Sequence, residues 1–354
     1  MNTKELTNEA IVLLKKLIET PSFSSEEDRT AKHIENWFTQ YQIPYKRTKN
    51  NIWATNLHFD ESKPTLLLNS HHDTVKPNNG YTKNPFKAIV EGGKLYGLGS
   101  NDAGGCLVSL IATFTYFYRQ SDLNYNLVIV ASAEEESSGE NGLNSMLSII
   151  PKIDIAIVGE PTLMQLAIAE KGLLVFDAVV KGTPSHAAHP NTDNAIYNTI
   201  TALKWFQEYI FEKTSSVLGA VKMTVTQINA GKQHNAVPAN VNLVVDVRVN
   251  DAYTNTEIVE ILQKEAPCDQ IIPRSLRLNS SSIPLDHPLV QAGIVLGRET
   301  YGSPTLSDQA VLSCPSLKLG PGDSTRSHTA DEFIYLNEIE EGVALYIDIL
   351  KEIL

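Results

Sequence analysis

Two histidines and a run of carboxylates lie where short apolar stretches end. Thr65-Leu-Leu-Leu-Asn-Ser runs into His71-His72-Asp73, and Asn126-Leu-Val-Ile-Val-Ala-Ser-Ala runs into Glu134-Glu135-Glu136. Ile153-Asp-Ile-Ala-Ile-Val-Gly runs into Glu160-Pro161-Thr162, and Ser316-Leu-Lys-Leu-Gly-Pro-Gly leads after a short loop to His328. A further acid, Asp102, stands between a Gly-rich loop and the apolar stretch Cys106 to Tyr118. Imidazole nitrogen and carboxylate oxygen are donors that zinc accepts, and catalytic zinc sites keep a position open for water. Paired ions about 3.5–4 Å apart serve aminopeptidase-like hydrolysis.

Taken singly, each piece has a plain alternative. His71-x-Asp73 could be a capped turn with a solvated acid, or a zinc-ligating histidine with Asp73 orienting the catalytic groups. Asp102 could be a helix N-cap, Glu160 a surface acid before a turn-forming proline, and His328 a loop histidine. The triplet Glu134-Glu135-Glu136 could be a solvated loop, although three adjacent carboxylates at a buried strand end repel one another and cations would relieve them. The conjunction carries more weight than any member. Two histidines and three carboxylates at successive strand ends suit two zinc ions with one bridging carboxylate, and cobalt or manganese would accept the same donors.

The elements that must position these groups are legible in outline. Continuous apolar runs read as strands buried on both faces of a parallel sheet, and ligands sit beyond the carboxyl ends of such strands. A first helix is expected over Asn8 to Glu19, and Ser24 with Glu27 reads as a capping box for a second whose buried stripe is Ala31, Ile34, Trp37, Phe38 and Tyr41. Strands and helices alternate to about Lys171, as in an α/β domain with a mostly parallel sheet flanked by helices. After Gly172 the order becomes strand Leu173–Lys181, helix Asp193–Phe211, strands Ala220–Ile228 and Val241–Val249, helix Thr256–Lys264 and a strand near Arg277. That order is β-α-β-β-α-β. The pattern of the first domain resumes near Pro284, so residues 173–282 read as an insertion between 1–172 and 283–354.

Composition narrows the class further. The chain has 354 residues and a net charge of −12, from 29 basic and 41 acidic residues, which disfavours a nucleic-acid partner. No apolar run is long enough to span a bilayer, and the N-terminus lacks the apolar core of a secretory signal. Three cysteines, Cys106, Cys268 and Cys314, form no C-x-x-C pair, which argues against a cysteine zinc cage and for the cytoplasm.

In order along the whole chain, Ser70-His71-His72-Asp73-Thr74-Val75, Ser100-Asn101-Asp102, Glu134-Glu135-Glu136, Gly159-Glu160-Pro161-Thr162, Gly182-Thr-Pro-Ser-His186 and Gly320-Pro-Gly-Asp-Ser-Thr-Arg-Ser-His328 form a set. The set resembles the zinc-dependent amidohydrolases that include acetylornithine deacetylase, succinyl-diaminopimelate desuccinylase, carboxypeptidase G and aminoacylase. The resemblance implies a di-zinc exopeptidase-like fold with an inserted lid and dimerisation domain, and a homodimer. It implies that His71 and Glu160 hold one zinc, Glu136 and His328 the other, and that Asp102 bridges them. Glu135 would be the general base, with Asp73 beside it. Where the family usually has Asp-Glu-Glu, this chain has three glutamates, and a shift by one would give Glu134 and Glu135 those roles. His186 would close over the scissile carbonyl, often from a partner subunit, while Asn235, Arg248, Gly322 and Ser324 would hold substrate. His189 has no assigned role, and His33, His58, His72, His234 and His287 read as structural.

The implied reaction is hydrolysis of the amide of a small-molecule N-acyl amino acid. The ending Gly320-Pro-Gly-Asp-Ser-Thr-Arg-Ser-His-Thr-Ala-Asp-Glu is similar to acetylornithine or acetyl-lysine deacetylases rather than to desuccinylases. N-acetylornithine or N-succinylornithine in arginine biosynthesis is therefore expected, ahead of succinyl-diaminopimelate, acetyl-lysine or dipeptides. An inactive metal-binding homologue would lack the base or a ligand, and none is missing.

Overall fold

The computed structural model describes residues 2–354. The chain divides into two compact units, one comprising the chain up to Ile168 with Ser282–Tyr301 and Ser307–Leu354, the other Ala169–Ser281 with Gly302–Leu306.

In the first unit the four apolar runs become adjacent parallel strands, in the order Asn126–Ser132, Thr65–His71, Ile155–Val158 and Ser316–Lys318. All four strands are buried from end to end, which is why their sequences are apolar without alternation. Asn51–Thr55 pairs antiparallel outside Asn126–Ser132, and Leu166–Glu170 does so beside Ser316–Lys318. Side chains alternate across a strand. Leu66, Leu68, Leu127, Ile129, Ile157 and Leu317 therefore pack on one face, in the core shared with helices Thr3–Ile18, Gly105–Phe117 and Leu336–Lys351. Leu67, Val128, Val130 and Ala156 pack on the other, with Trp53, Leu143 and Met146. The fold is thus an α/β sheet, mostly parallel and covered on both faces.

Two local expectations need correction. The first helix spans Thr3–Ile18, because the Asn2 side chain caps it by accepting from the Lys4 amide at 3.0 Å. The second spans Asp28–Gln40 without the Ser24–Glu27 capping box. Ser24 Oγ instead donates to Asp73 at 2.7 Å, and Glu27 accepts from the backbone amides of Ser25 at 2.7 Å and Glu134 at 3.1 Å. Partners distant in sequence have taken both side chains away from the helix end.

The second unit follows the β-α-β-β-α-β order. Its antiparallel sheet runs Lys222–Ala230, Asn240–Val249, Gly172–Lys181, Gln270–Pro273, with helices Ala195–Glu208 and Asn255–Glu265. Leu174, Phe176, Leu243, Val245, Phe206, Ile258 and Leu262 form its own core. The last strand is Gln270–Pro273 and not a segment at Arg277. Ile271 supplies the buried side chain, whereas the Leu276 and Leu278 carbonyls are taken by Asn255 in a loop. Among the described residues, no helix is long and apolar enough to cross a membrane.

Leu68 is fully buried in the first unit and Val12 is 50 % exposed. Leu68→Ala should destabilise that unit by about 2–5 kcal/mol and lower its urea midpoint, while Val12→Ala should move it by less than about 0.5 kcal/mol. Equal midpoints for the two variants would contradict this assignment of the core.

Candidate active site

The strand ends converge as the sheet order requires. His71 closes its strand in register with Ser132, which is followed by the turn bearing the three glutamates. Asp73 sits where these segments meet. Its carboxylate lies 3.3 Å from His71 Nδ1 and accepts from Ser24 Oγ and from the amides of Glu135 and Glu136, each of these two at 3.1 Å. The Asp73 carbonyl, 3.0 Å from the same Nδ1, also orients the imidazole and leaves Nε2 facing the acids.

Around Nε2 of His71 stand Asp102 Oδ1 at 3.3 Å, Glu160 Oε1 at 3.8 Å and Glu135 Oε2 at 3.9 Å. Nε2 of His328 lies 3.0 Å from Glu136 Oε2 and 3.6 Å from Asp102 Oδ2. The two oxygens of Asp102 therefore face different histidines. Ligand atoms of His71, Asp102 and Glu136, and likewise of His71, Glu135 and Glu160, lie within 4.8 Å of one another. Nitrogen and oxygen donors gathered this closely, with one carboxylate shared, fit a pair of divalent cations.

The adjacent glutamates separate by orientation. Glu134 takes a positive φ of 56° and turns its carboxylate to Ser25 Oγ at 2.9 Å and Asn141 Nδ2 at 3.0 Å. Gly139 is required there, since a Cβ would fall 2.1 Å from a Glu134 carboxylate oxygen. Glu135 and Glu136 face the donor cluster instead.

Three groups hold the site in place in ways that residue spacing did not assign to them. Glu332 is buried and accepts from the amides of Gly99 at 3.1 Å, Asn101 at 2.8 Å and Asp102 at 2.9 Å, so it shapes the loop that presents Asp102. It closes the Thr-Ala-Asp-Glu segment after His328, and that adjacency was its only trace. Asn101 bonds both the amide and the carbonyl of Asp323, holding the loop of Gly322 and Ser324. Gly322 has φ of +92°, and a Cβ would fall 2.5 Å from Asn101 Oδ1. Ser24 is the third, through Asp73. Ser324 is exposed at the start of the turn Ser324–Arg326.

In the second unit, Ser185–His186 pairs with Ala236–Val237, and the Asn235 carbonyl accepts from the Ala187 amide at 3.0 Å. His186 and Asn235 are thereby brought together. The Ala188 amide donates to His186 Nδ1, so the neutral ring carries its proton on Nε2 and can donate from it. Arg248 makes a two-point ion pair with Asp246 two residues before it on the same strand. His189 contacts the His186 ring edge-on, His72 lies buried between Thr30 and the Asn50 carbonyl, and His287 caps helix Pro288–Val295.

Charge crowding sets the protonation of the cluster. Burial opposes a charge on His71, but Asp102 and Asp73 outweigh it and hold its pKa well above the usual value. The hydrogen bond to Glu136 raises His328 to about 9, while burial, reinforced by Asp102, raises Glu160 to about 8. Burial also raises Glu135.

Fold and donor cluster together are those of a metal-dependent hydrolase, and the chain belongs to peptidase family M20/M25/M40, whose model matches residues 67–352. It is 29 % identical over 363 residues to acetylornithine deacetylase of Proteus mirabilis, covering 93 % of each chain. It is 25 % identical to succinyl-diaminopimelate desuccinylase of Rickettsia felis, over 96 % of this chain and 99 % of that one. Among solved structures it resembles the YXEP protein of Bacillus subtilis, a dinuclear metal-binding peptidase, with a TM-score of 0.76, 16 % identity, and coverage of 99 % and 98 %.

Histidine and carboxylate must shed protons to bind a cation. His71, His328 near 9 and Glu160 near 8 hold protons at pH 7 in the ion-free protein, so binding should release them. Apparent affinity for Zn2+ or Co2+ should therefore climb as pH rises from about 6 toward 9, where the competing protons leave. Titration calorimetry in two buffers of different ionisation enthalpy measures the release, and equal heats in both would refute it.

Proposed function

We propose that the protein hydrolyses the amide of an N-acylated basic amino acid, N-acetylornithine or N-succinylornithine, in arginine biosynthesis. The observation that carries this reading is the placement of Glu135. It stands within 3.9 Å of His71 among the donors, while Glu134 is turned away to Ser25 and Asn141. The curated relatives named acetylornithine deacetylase supply the substrate class.

In this reading His71 and Glu160 would hold one ion, Glu136 and His328 the other, and Asp102 would serve both. The approach of His71 to Glu160 and of His328 to Glu136, with Asp102 near both histidines, supports it. Zinc is the proposed metal, because mixed imidazole and carboxylate donors suit it. When bound, such ions lower the pKa of water toward about 7 and offset negative charge on the scissile carbonyl oxygen. Glu135 takes a proton from the attacking water, whose oxygen bonds to the acyl carbon. As the carbon–nitrogen bond breaks, Glu135 returns that proton to the leaving nitrogen, giving a carboxylic acid and an amine. The acid's remaining proton then passes to the amine, so at neutral pH the products are a carboxylate and an ammonium. Asp73 holds Glu135 in place by its backbone amide. His186 Nε2 donates to the developing oxyanion, and Asn235, Arg248, Gly322 and Ser324 hold the substrate.

The second unit serves as lid and dimerisation domain in this reading. Ile196, Tyr197 and Ile200 are exposed on helix Ala195–Glu208, and Lys222–Ala230 is an edge strand, a combination that suits a homodimer. Three unpaired cysteines suit a reducing cytoplasm.

Assay of the metal-loaded protein on acetylornithine, succinylornithine, succinyl-diaminopimelate and dipeptides tests the substrate. Preference for succinyl-diaminopimelate, as in the Rickettsia relative's name, would replace the ornithine reading. Glu135→Gln should keep metal and lose turnover, since glutamine is nearly isosteric but cannot carry the proton. Asp102→Ala should lose most metal and activity together. Loss of metal in Glu135→Gln, with Glu134→Gln catalytically dead, would move both roles back by one residue.

His186→Ala should lower kcat by about 10²–10³ with KM little changed and metal retained. If the histidine comes from a neighbouring subunit, mixing His186→Ala with Glu135→Gln should restore part of the activity, because one site of the mixed dimer is intact. Mixed dimers without restoration would place His186 in its own chain's site, and near-normal turnover of His186→Ala would remove it from the mechanism.

A further inference from the structure

Behind the donor cluster lies a second set of polar side chains that the reaction does not use directly. Ser132 is the register partner of His71 and stands three residues before Glu135. Its hydroxyl donates to Asp308 Oδ2 at 2.5 Å and accepts from Asn69 Nδ2 at 3.0 Å. Asn69 and Ser132 are fully buried, and Asn69 precedes His71 by two residues on the same strand face. The turn Asp308–Val311 is itself anchored, since Gln309 Nε2 donates to Ser316 Oγ at 2.9 Å.

A carboxylate in this place needs a reason. Burial and the nearby Asp73 charge push Asp308 up to about 6, against the pull of Ser132, and Asp308 in turn adds to the repulsion on Glu135. A buried acid that crowds other acids is unfavourable in itself, and the attraction of His71 only partly offsets the burial. What it supplies is a short hydrogen bond to the end of the strand that leads into Glu135. Asp73 holds that turn by its backbone from the other direction.

We infer that Asp308, acting through Ser132, is a positioning residue that fixes the strand end carrying Glu135 so that the base meets its proton in line. The inference rests on Glu135 as the base. A general base must lie within about 2.6–3.2 Å of the proton it takes, and a displacement near 1 Å can cost about 10²-fold in rate.

The test uses the full chain loaded with Zn2+ and an N-acyl amino acid or dipeptide that the wild type hydrolyses. Asp308→Ala and Ser132→Ala should each lower kcat by about 10- to 100-fold, with KM within about threefold of wild type. Metal content should be unchanged by mass spectrometry. The double variant should be no slower than the slower single one, because both remove the same bond. Asp308→Asn keeps an acceptor for Ser132 and should restore most of the lost kcat.

Unchanged kcat in the single variants, multiplying losses in the double, loss of metal, or an Asn variant as slow as Ala would each overturn the inference. If Asp308→Ala does not fold, Ser132→Ala against wild type carries the test, since it removes the same bond without altering charge. Glu135→Gln is run in parallel. Normal turnover there would sink the base assignment, whereas a dead Glu135→Gln beside a fully active Ser132→Ala would sink only the role of Asp308.

Discussion

One buried carboxylate, Asp73, is bonded at once to an imidazole, a serine hydroxyl and two consecutive backbone amides. Each bond fixes something the chemistry needs. The imidazole bond sets which nitrogen of His71 looks into the cluster, and the amide bonds set where the Glu135–Glu136 turn lies. Charge-assisted bonds of this kind are roughly twice as strong as neutral ones, so the acid can repay its burial. It can do so only because Thr65–His71 and Asn126–Ser132 are neighbouring parallel strands whose ends are level. Adjacent strands place the groups within reach, and Asp73 sets their angles.

The rest of the first unit manages repulsion. Asp102, Glu135, Glu136 and Glu160 crowd two histidines, with Glu332 and Asp308 close behind. Protons or divalent cations must occupy such a cluster. The surroundings fix the positions of the acids by hydrogen bonds from behind. Glu332 spends its oxygens on the amides around Asp102, and Asn101 pins the Gly322 loop. Preorganisation of this sort lowers the reorganisation that charge development would otherwise demand.

The second unit is built on a different principle. Its antiparallel sheet has a helix-packed face and its own core, and beside it His186 lies on a two-residue ladder with Ala236–Val237, next to which the Asn235 carbonyl accepts from the Ala187 amide. An amide bond to Nδ1 selects the His186 tautomer that donates from Nε2.

Much of this was legible in the residues alone. The four apolar runs marked the parallel strands because burial on both faces leaves no polar position to interrupt them, and their endings named the donors. The apolar run Leu173 to Lys181 was legible as a strand, whereas its single packed face, buried at alternate positions, appeared only in the fold. Spacing misled where a side chain had a choice of partner. Ser24 and Glu27 have the spacing of a helix cap, yet bonds to Asp73 and to the Glu134 amide won, and Leu276-Arg277-Leu278 alternates like a strand but closes a loop around Asn255. Which of three adjacent glutamates faces the cluster was open in the sequence, because identical residues carry no orientation. Ser25 and Asn141 turn Glu134 aside. The roles of Glu332 and Asp308 were not legible, because they depend on partners 230 and 176 residues away, which only the folded chain brings together. Local sequence determined the strands and the kinds of donor, and tertiary contact decided their orientation, since a hydrogen bond is made by what lies within 3 Å in space rather than by what is near in the chain.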